Sequence, residues 1–297
     1  MKRIFCLIVL LMPLAGCARS IPTYSCPNSS FEMLPVLPDT EFPVVQVRLN
    51  GHAAAMLVDT GAGRSVITPQ TAEEFGLSET GQSLTMHAVG SDVAAPIVRV
   101  VTLQLGRLKA VEPTFLLAAI PVRSVGGLPV AGLFGTDFLS GYDVLFDLPH
   151  HRMALISGNA CIPDNVPPAD RMAFPADPAA RVLLPIRLDD RPLMAVLDSG
   201  SNRTTIPVSL AGVQNALLEK DENVGTRGPD GLHLDAWLHR FGTIQIGTGI
   251  DRDIELAIAP IRTPYALLGA DFLRHRIVLI SYRRGMAYLL AENPITP

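Results

Sequence analysis

Ala55-Met56-Leu57-Val58-Asp59-Thr60-Gly61-Ala62 and Met194-Ala195-Val196-Leu197-Asp198-Ser199-Gly200-Ser201 are one passage written twice. Ahead of the first stands the alternating run Val45-Gln46-Val47-Arg48-Leu49 and then Asn50-Gly51. Ahead of the second stand Leu184-Pro185-Ile186-Arg187-Leu188 and Asp189-Asp190. The offset is 139 for the acids (198 − 59) and for the ends of the runs (188 − 49). Further along, Leu133-Phe134-Gly135-Thr136-Asp137-Phe138-Leu139 matches Leu267-Leu268-Gly269-Ala270-Asp271-Phe272-Leu273 at an offset of 134 (267 − 133). Each copy then closes on an apolar strand, Asp143 to Phe146 in one and Arg276 to Ile280 in the other. Self-similarity on this scale predicts two copies of one folding unit.

The units are residues 41–157 and 181–292. A Pro-rich linker separates them at 158–180, and 293–297 is a tail. Period-2 alternation followed by Asn50-Gly51 reads as a strand and a tight hairpin turn. Ala53 to Val58 continues as a strand that is apolar throughout, hence buried on both faces. Val98 to Leu105 and Phe241 to Ile246 read as later strands. Thr68-Pro69 opens a short helix that runs to Phe75. An alternating hairpin spans Leu84 to Val93 with Gly90-Ser91 at its tip. The whole chain has 297 residues, with 25 Pro, 24 Gly and 6% aromatics, a composition that suits a mainly all-β, turn-rich protein. Its 24 basic and 28 acidic residues give a net charge of −4, which excludes the basic footprint of a nucleic-acid binder.

Each copy sets an Asp at the end of an apolar strand, followed by a small hydroxyl residue and a Gly. One such triplet is an ordinary turn; two in matched contexts call for a shared reason. If the copies pack about a pseudo-twofold axis, Asp59 and Asp198 meet on it and share one proton, because two adjacent carboxyls cannot both ionise. Thr60 and Ser199 then brace the opposite loops, and Gly61 and Gly200 permit close approach. Such a pair hydrolyses amides by activating water directly, with no cofactor and no metal.

Leu57-Val58-Asp59-Thr60-Gly61-Ala62 resembles the active-site loop of retropepsin-like aspartic proteases. Leu133-Phe134-Gly135 and Leu267-Leu268-Gly269 resemble the segment that packs behind it. The resemblance implies two β-barrel units in one chain forming a pseudo-twofold aspartic protease. Asp59 and Asp198 would be catalytic, supported by Thr60, Gly61, Ala62, Ser199, Gly200 and Ser201. It also implies a flap, placed by position at Met86, His87, Ala88, Val89 and Gly90. Partners would be a protein or peptide substrate, with the chain a monomer because internal pairing makes it a pseudo-dimer. The second loop departs from the pattern with Ser for Thr at 199 and Ser at 201. A non-catalytic peptide-binding or scaffolding protein on the same fold is the competing reading.

Other chemistries fit poorly. Asp59 to Gly63 lacks the third Gly of a dinucleotide loop and the Lys of a phosphate loop. No Gly-x-Ser-x-Gly elbow occurs, and the seven His have no metal-ligand spacing. His150-His151 and Asp251-Arg252-Asp253 read as solvated loop. Asp137 and Asp271 read as caps of the helix or turn after Gly135 and Gly269, and Trp237 as packing.

The chain begins with an address. Met-Lys-Arg, an apolar run from Ile4 and then Leu14-Ala15-Gly16-Cys17 resemble a bacterial lipoprotein signal over residues 1–16. The resemblance implies lipidation of Cys17 and a tether over 17–40. The membrane would be a partner only through the lipid anchor. The implied location is the cell envelope, facing the periplasm, with Ala18 favouring the outer membrane over the inner. Cys26 and Cys161 flank the first unit. An exported compartment permits a bridge between them, and two free thiols satisfy the same spacing.

Overall fold

The computed structural model describes residues 29–87, 92–120, 123–158, 166–212, 222–223, 226–227 and 233–290. Strands dominate it, as the sequence predicts, and both copies fold to the same plan. In each, the alternating run pairs antiparallel with the apolar strand: Val44–Leu49 with His52–Val58, and Leu183–Leu188 with Arg191–Leu197. The turns between them put Asn50 and Gly51 at φ 49° and 84°, and Asp189 and Asp190 at 45° and 62°. Two left-handed residues make the turn that matches strand twist, which Asn, Gly and Asp adopt at low cost. Ala54 to Val58 are all buried, as an apolar strand covered on both faces requires.

Each apolar strand next takes a parallel neighbour. Leu128–Phe134 lies beside His52–Val58, and Ala266–Leu268 beside Arg191–Leu197. In the second unit the sheet closes on itself, because Leu183–Leu188 pairs both with Arg191–Leu197 and with Trp237–Ile246. The first unit forms a half-barrel whose sheet ends at the strands Ser78–His87 and Leu108–Val111. The helix after Thr68 forms over Pro69–Glu74, with the Thr68 hydroxyl accepting from the Thr71 amide at 3.2 Å.

A third, six-stranded sheet joins the units. Its order is Ser29–Pro35, Arg152–Gly158, Asp143–Asp147, Ile277–Ser281, Met286–Leu290, Arg171–Ala173. The central contact is antiparallel, and Leu145 faces Leu279. These residues are equivalents (279 − 145 = 134), so the pseudo-twofold axis passes between them. Both are buried, and their cluster draws on each unit.

Several sequence expectations are corrected here. The tether expected over 17–40 holds the strand Ser29–Pro35, which pairs with Arg152–Gly158. Its inward face alternates Glu32 with Leu34, and that acid breaks the apolar period. Arg107 neutralises Glu32 through its amide and its Nε, both at 2.9 Å. The linker expected over 158–180 contributes the strand Arg171–Ala173, too short to show a period. The strand expected from Val98 to Leu105 is two, Asp92–Arg99 and Thr102–Leu105. Asp251 and Asp253 lie in the strand Gly249–Ala259, where they pair with Arg276 and Arg240, and are not loop. His150 is not free either: its Nδ1 lies 2.5 Å from the fully buried Asp147, which also accepts from Arg152.

A sheet built from both halves makes them unfold together. Leu145→Ala, in the first unit, is expected to cost about 2–5 kcal/mol. Trp237, the chain's single Trp, sits in the second unit and reports it. Urea denaturation followed by Trp fluorescence should show one transition with a lowered midpoint; an unmoved midpoint would mean independent units.

Candidate active site

The strands deliver the two acids to one place. Asp59 follows His52–Val58 directly, and its amide donates to the Phe134 carbonyl at 2.9 Å on the parallel neighbour. Asp198 follows Arg191–Leu197, and its amide donates to the Leu268 carbonyl at 2.8 Å. The chain then turns sharply under each side chain. Asp59 Oδ1 accepts from the amides of Gly61 and Ala62 at 2.9 and 3.0 Å. Asp198 Oδ1 accepts from Gly200 and Ser201 at 3.0 and 3.2 Å.

The two loops then interlock. Thr60 Oγ1 donates to the Leu197 carbonyl at 2.5 Å, and Ser199 Oγ donates to the Val58 carbonyl at 2.6 Å. In return each hydroxyl accepts the other residue's amide, both at 3.0 Å. Both side chains are completely buried, so these bonds form away from competing water. Close approach places each carboxyl over the other loop's glycine. A Cβ on Gly61 would fall 2.4 Å from Asp198 Cγ, and one on Gly200 would fall 2.3 Å from Asp59 Cγ. No residue other than glycine fits there without moving the opposing acid.

Both carboxyls hold their protons well above the ordinary range. Burial raises Asp59, opposed by the two amides it accepts from. Burial raises Asp198 most and the charge of Asp59 raises it further, to about 8. Each residue keeps a partly exposed edge, so the pair is desolvated by dense surroundings yet open on one side. Two acids this close titrate as a unit, and the upper titration, at about 8, keeps a proton on the pair at neutral pH.

Comparison with known families agrees with this geometry. Residues 45–138 match the Aspartyl protease family, and residues 184–275 match the gag-polyprotein aspartyl protease family. Both units are thus similar to retropepsin-like aspartyl protease domains, standing in tandem in one chain. No curated protein matches it.

Around the interlocked loops of the two protease units lie residues that the sequence reading placed elsewhere. Asp137 does more than cap its own turn: its Oδ1 accepts from the Phe138 amide at 2.9 Å, and also from the Ser65 amide at 2.9 Å and the Ser65 hydroxyl at 2.6 Å. Asp271 accepts likewise from the Thr204 amide and hydroxyl, both at 2.8 Å. Each ties the segment after the parallel strand back to the end of an acid-bearing loop. The repeat of Ser65 and Thr204 at offset 139 (204 − 65) was the signal available for this. Tyr282 was also missed. Its hydroxyl is buried without a hydrogen-bond partner among the described residues, and burial together with the nearby charge of Asp59 raises its pKa. Nothing in the duplicated pattern marks it.

Of the expected flap, Met86 and His87 end the strand Ser78–His87, opposite Val93 and Asp92. Ala88, Val89 and Gly90 lie outside the described residues, as do Cys17, Cys26 and Cys161. The second unit carries a short ribbon in the same region, Thr226–Arg227 against His233–Leu234.

The raised pair makes stability depend on pH. An acid held above its unfolded value of about 3.9 binds more protons folded than unfolded. Its contribution is therefore full below pH ~4 and is lost as pH rises toward 8. Asp198→Asn should flatten this loss, by up to about 1.4 kcal/mol per pH unit for one proton. Urea denaturation at a series of pH values, wild type against variant, measures it.

Proposed function

We propose that the protein is an aspartic endopeptidase in which Asp59 and Asp198 are the catalytic pair. The observation that carries the reading is the placement of each carboxyl against the other loop's glycine. With one proton on the pair, the ionised oxygen takes a proton from a bound water as its oxygen attacks the peptide carbonyl. The protonated carboxyl donates to the carbonyl oxygen and stabilises charge developing there. Collapse breaks the C–N bond, and the amide nitrogen leaves with a proton from the pair. Thr60 and Ser199 hold the acids in register throughout; Gly61, Ala62, Gly200 and Ser201 supply the amides that orient them.

The peptide lies across the open edge of the pair, in contact with both units. Its source is exported or envelope protein, and the enzyme acts as a monomer anchored through lipid on Cys17. The competing reading, a scaffold that binds peptides without cleaving them, has no use for a desolvated acid pair. Burying two ionisable acids side by side costs a fold stability and is retained for chemistry.

Asp59→Asn and Asp198→Asn should each lower turnover of an unfolded protein substrate by about 10²–10⁴-fold while leaving the fold intact. Wild-type turnover in either variant refutes the shared pair. The wild-type rate should fall as pH rises through about 8, where the pair loses its last proton. Cys17→Ala should release the protein from the membrane fraction; unchanged fractionation and mass would refute the anchor.

A further inference from the structure

The segment leading into each unit does not stay with that unit. Residues 177–181, which lead into the second, cross to the first unit's acid-bearing loop. There the buried Thr136 hydroxyl donates to the Ala179 carbonyl, and the Ala179 side chain stands 3.1 Å from where a Cβ on Gly63 would be. Asp177 stiffens this lead by accepting from the Ala179 amide at 2.9 Å and pairing with Arg181 at 2.8 Å. Arg181 in turn lies over the Tyr265 ring of the second unit, 5.8 Å from its centre.

The mirror contact joins the other pair. Glu41, on the lead into the first unit, meets the second unit's acid-bearing loop. Arg274 donates to the Glu41 carbonyl at 2.9 Å, and the Asn202 amide group donates to the Glu41 carboxylate at 3.2 Å. Asn202 is the equivalent of Gly63 (202 − 63 = 139), and Glu41 that of Ala180 (180 − 41 = 139). Thr136 has Ala270 as its equivalent, which carries no hydroxyl, and Arg274 one turn later supplies the donor instead.

These clasps bear on the acids through one further bond each. The Thr136 amide donates to the Ala62 carbonyl at 2.8 Å, and the Ala270 amide donates to the Ser201 carbonyl at 2.7 Å. Ala62 and Ser201 are the residues whose amides hold Asp59 and Asp198. Thr136 thus connects the Asp59 loop to the second unit's lead in two bonds. Arg274 ends the helical turn Ala270–Leu273, donates to the Asn202 carbonyl beside the Asp198 loop at 3.4 Å, and reaches the first unit's lead directly.

We propose that Thr136 and Arg274 are positioning residues, which set the spacing of Asp59 and Asp198 by fastening each acid-bearing loop to the lead segment of the opposite unit. The inference rests on reading the acids as a working pair. Loosening either clasp lets the carboxyls drift apart. Their mutual repulsion then weakens and the upper titration falls toward the ordinary carboxyl range. Turnover drops while substrate affinity holds, because the clasps act on the spacing of the acids and not on the peptide.

The test uses full-length protein in four variants, Thr136→Val, Thr136→Ser, Arg274→Ala and Arg274→Lys, each checked for folding by its urea midpoint. Two readouts are taken: carbon-13 NMR titration of the Asp carboxyls, and kcat and KM on an unfolded protein. Thr136→Val and Arg274→Ala are expected to lower the upper titration and to cut kcat about tenfold to a hundredfold with KM unchanged. Thr136→Ser keeps the hydroxyl and should restore both readouts; Arg274→Lys keeps one donor and should restore them in part. Arg274 is exposed, so its replacement tests the proposal even if Thr136→Val does not fold. Wild-type titration and kcat in the folded Val and Ala variants overturn it. A wild type that shows the raised titration but cleaves nothing overturns the protease reading and leaves the clasps to be judged by titration.

Discussion

Two like-charged acids pushed together in a desolvated place will separate unless something stiffer than their repulsion holds them. Here that is the crossed pair of hydroxyls, Thr60 and Ser199. Each donates to a carbonyl at the end of the opposite acid-bearing strand and accepts the opposite amide. A single hydrogen bond of this kind adds only about 1 kcal/mol net. Removing one leaves a donor and an acceptor orphaned in a site without water, and that penalty is the larger effect. The grip is therefore stiff because breaking it is costly. The raised titration of the carboxyls follows from it: the grip holds both acids in a buried place, where desolvation raises each, and fixes the separation at which the charge of Asp59 raises Asp198 further.

The grip marks one point on the pseudo-twofold axis, and Leu145 facing Leu279 marks another. Two points define a line, so the halves cannot rotate against each other without breaking either the hydroxyl crossing or the shared sheet. That sheet is also where the single chain matters. Its outer strands, Ser29–Pro35 and Arg171–Ala173, come from the segments that precede each unit and cover edges that would otherwise be exposed.

What the sequence disclosed and what it hid divide along one physical line. Period, turn chemistry and repetition are local or regular, and they revealed the hairpins at Asn50-Gly51 and Asp189-Asp190, the buried strands, and both acids. Contacts that depend on a distant partner left no regular trace. Glu32 looks like a surface acid until Arg107, 75 residues on, is found beside it. Asp137 looks only like a cap, which it is for Phe138, until Ser65, 72 residues back, is found bonded to it. Glu32 is buried with its compensation, and such compensation is invisible to any window shorter than the separation.

Duplication explains the strict match at the acids, and the mismatches show how little else must match. Serine replaces threonine at 199 because the crossing uses only the hydroxyl and the amide. Gly63 and Asn202 differ because one lead presses an alanine into the loop and the other offers a carboxylate to it. One unit closes its barrel while the other stays open. The carboxyls tolerate no such freedom, since each is defined by the other: the glycine beneath one is the space occupied by its partner. A change at either position is felt at both, so the two halves were free to diverge everywhere except where they touch on the axis.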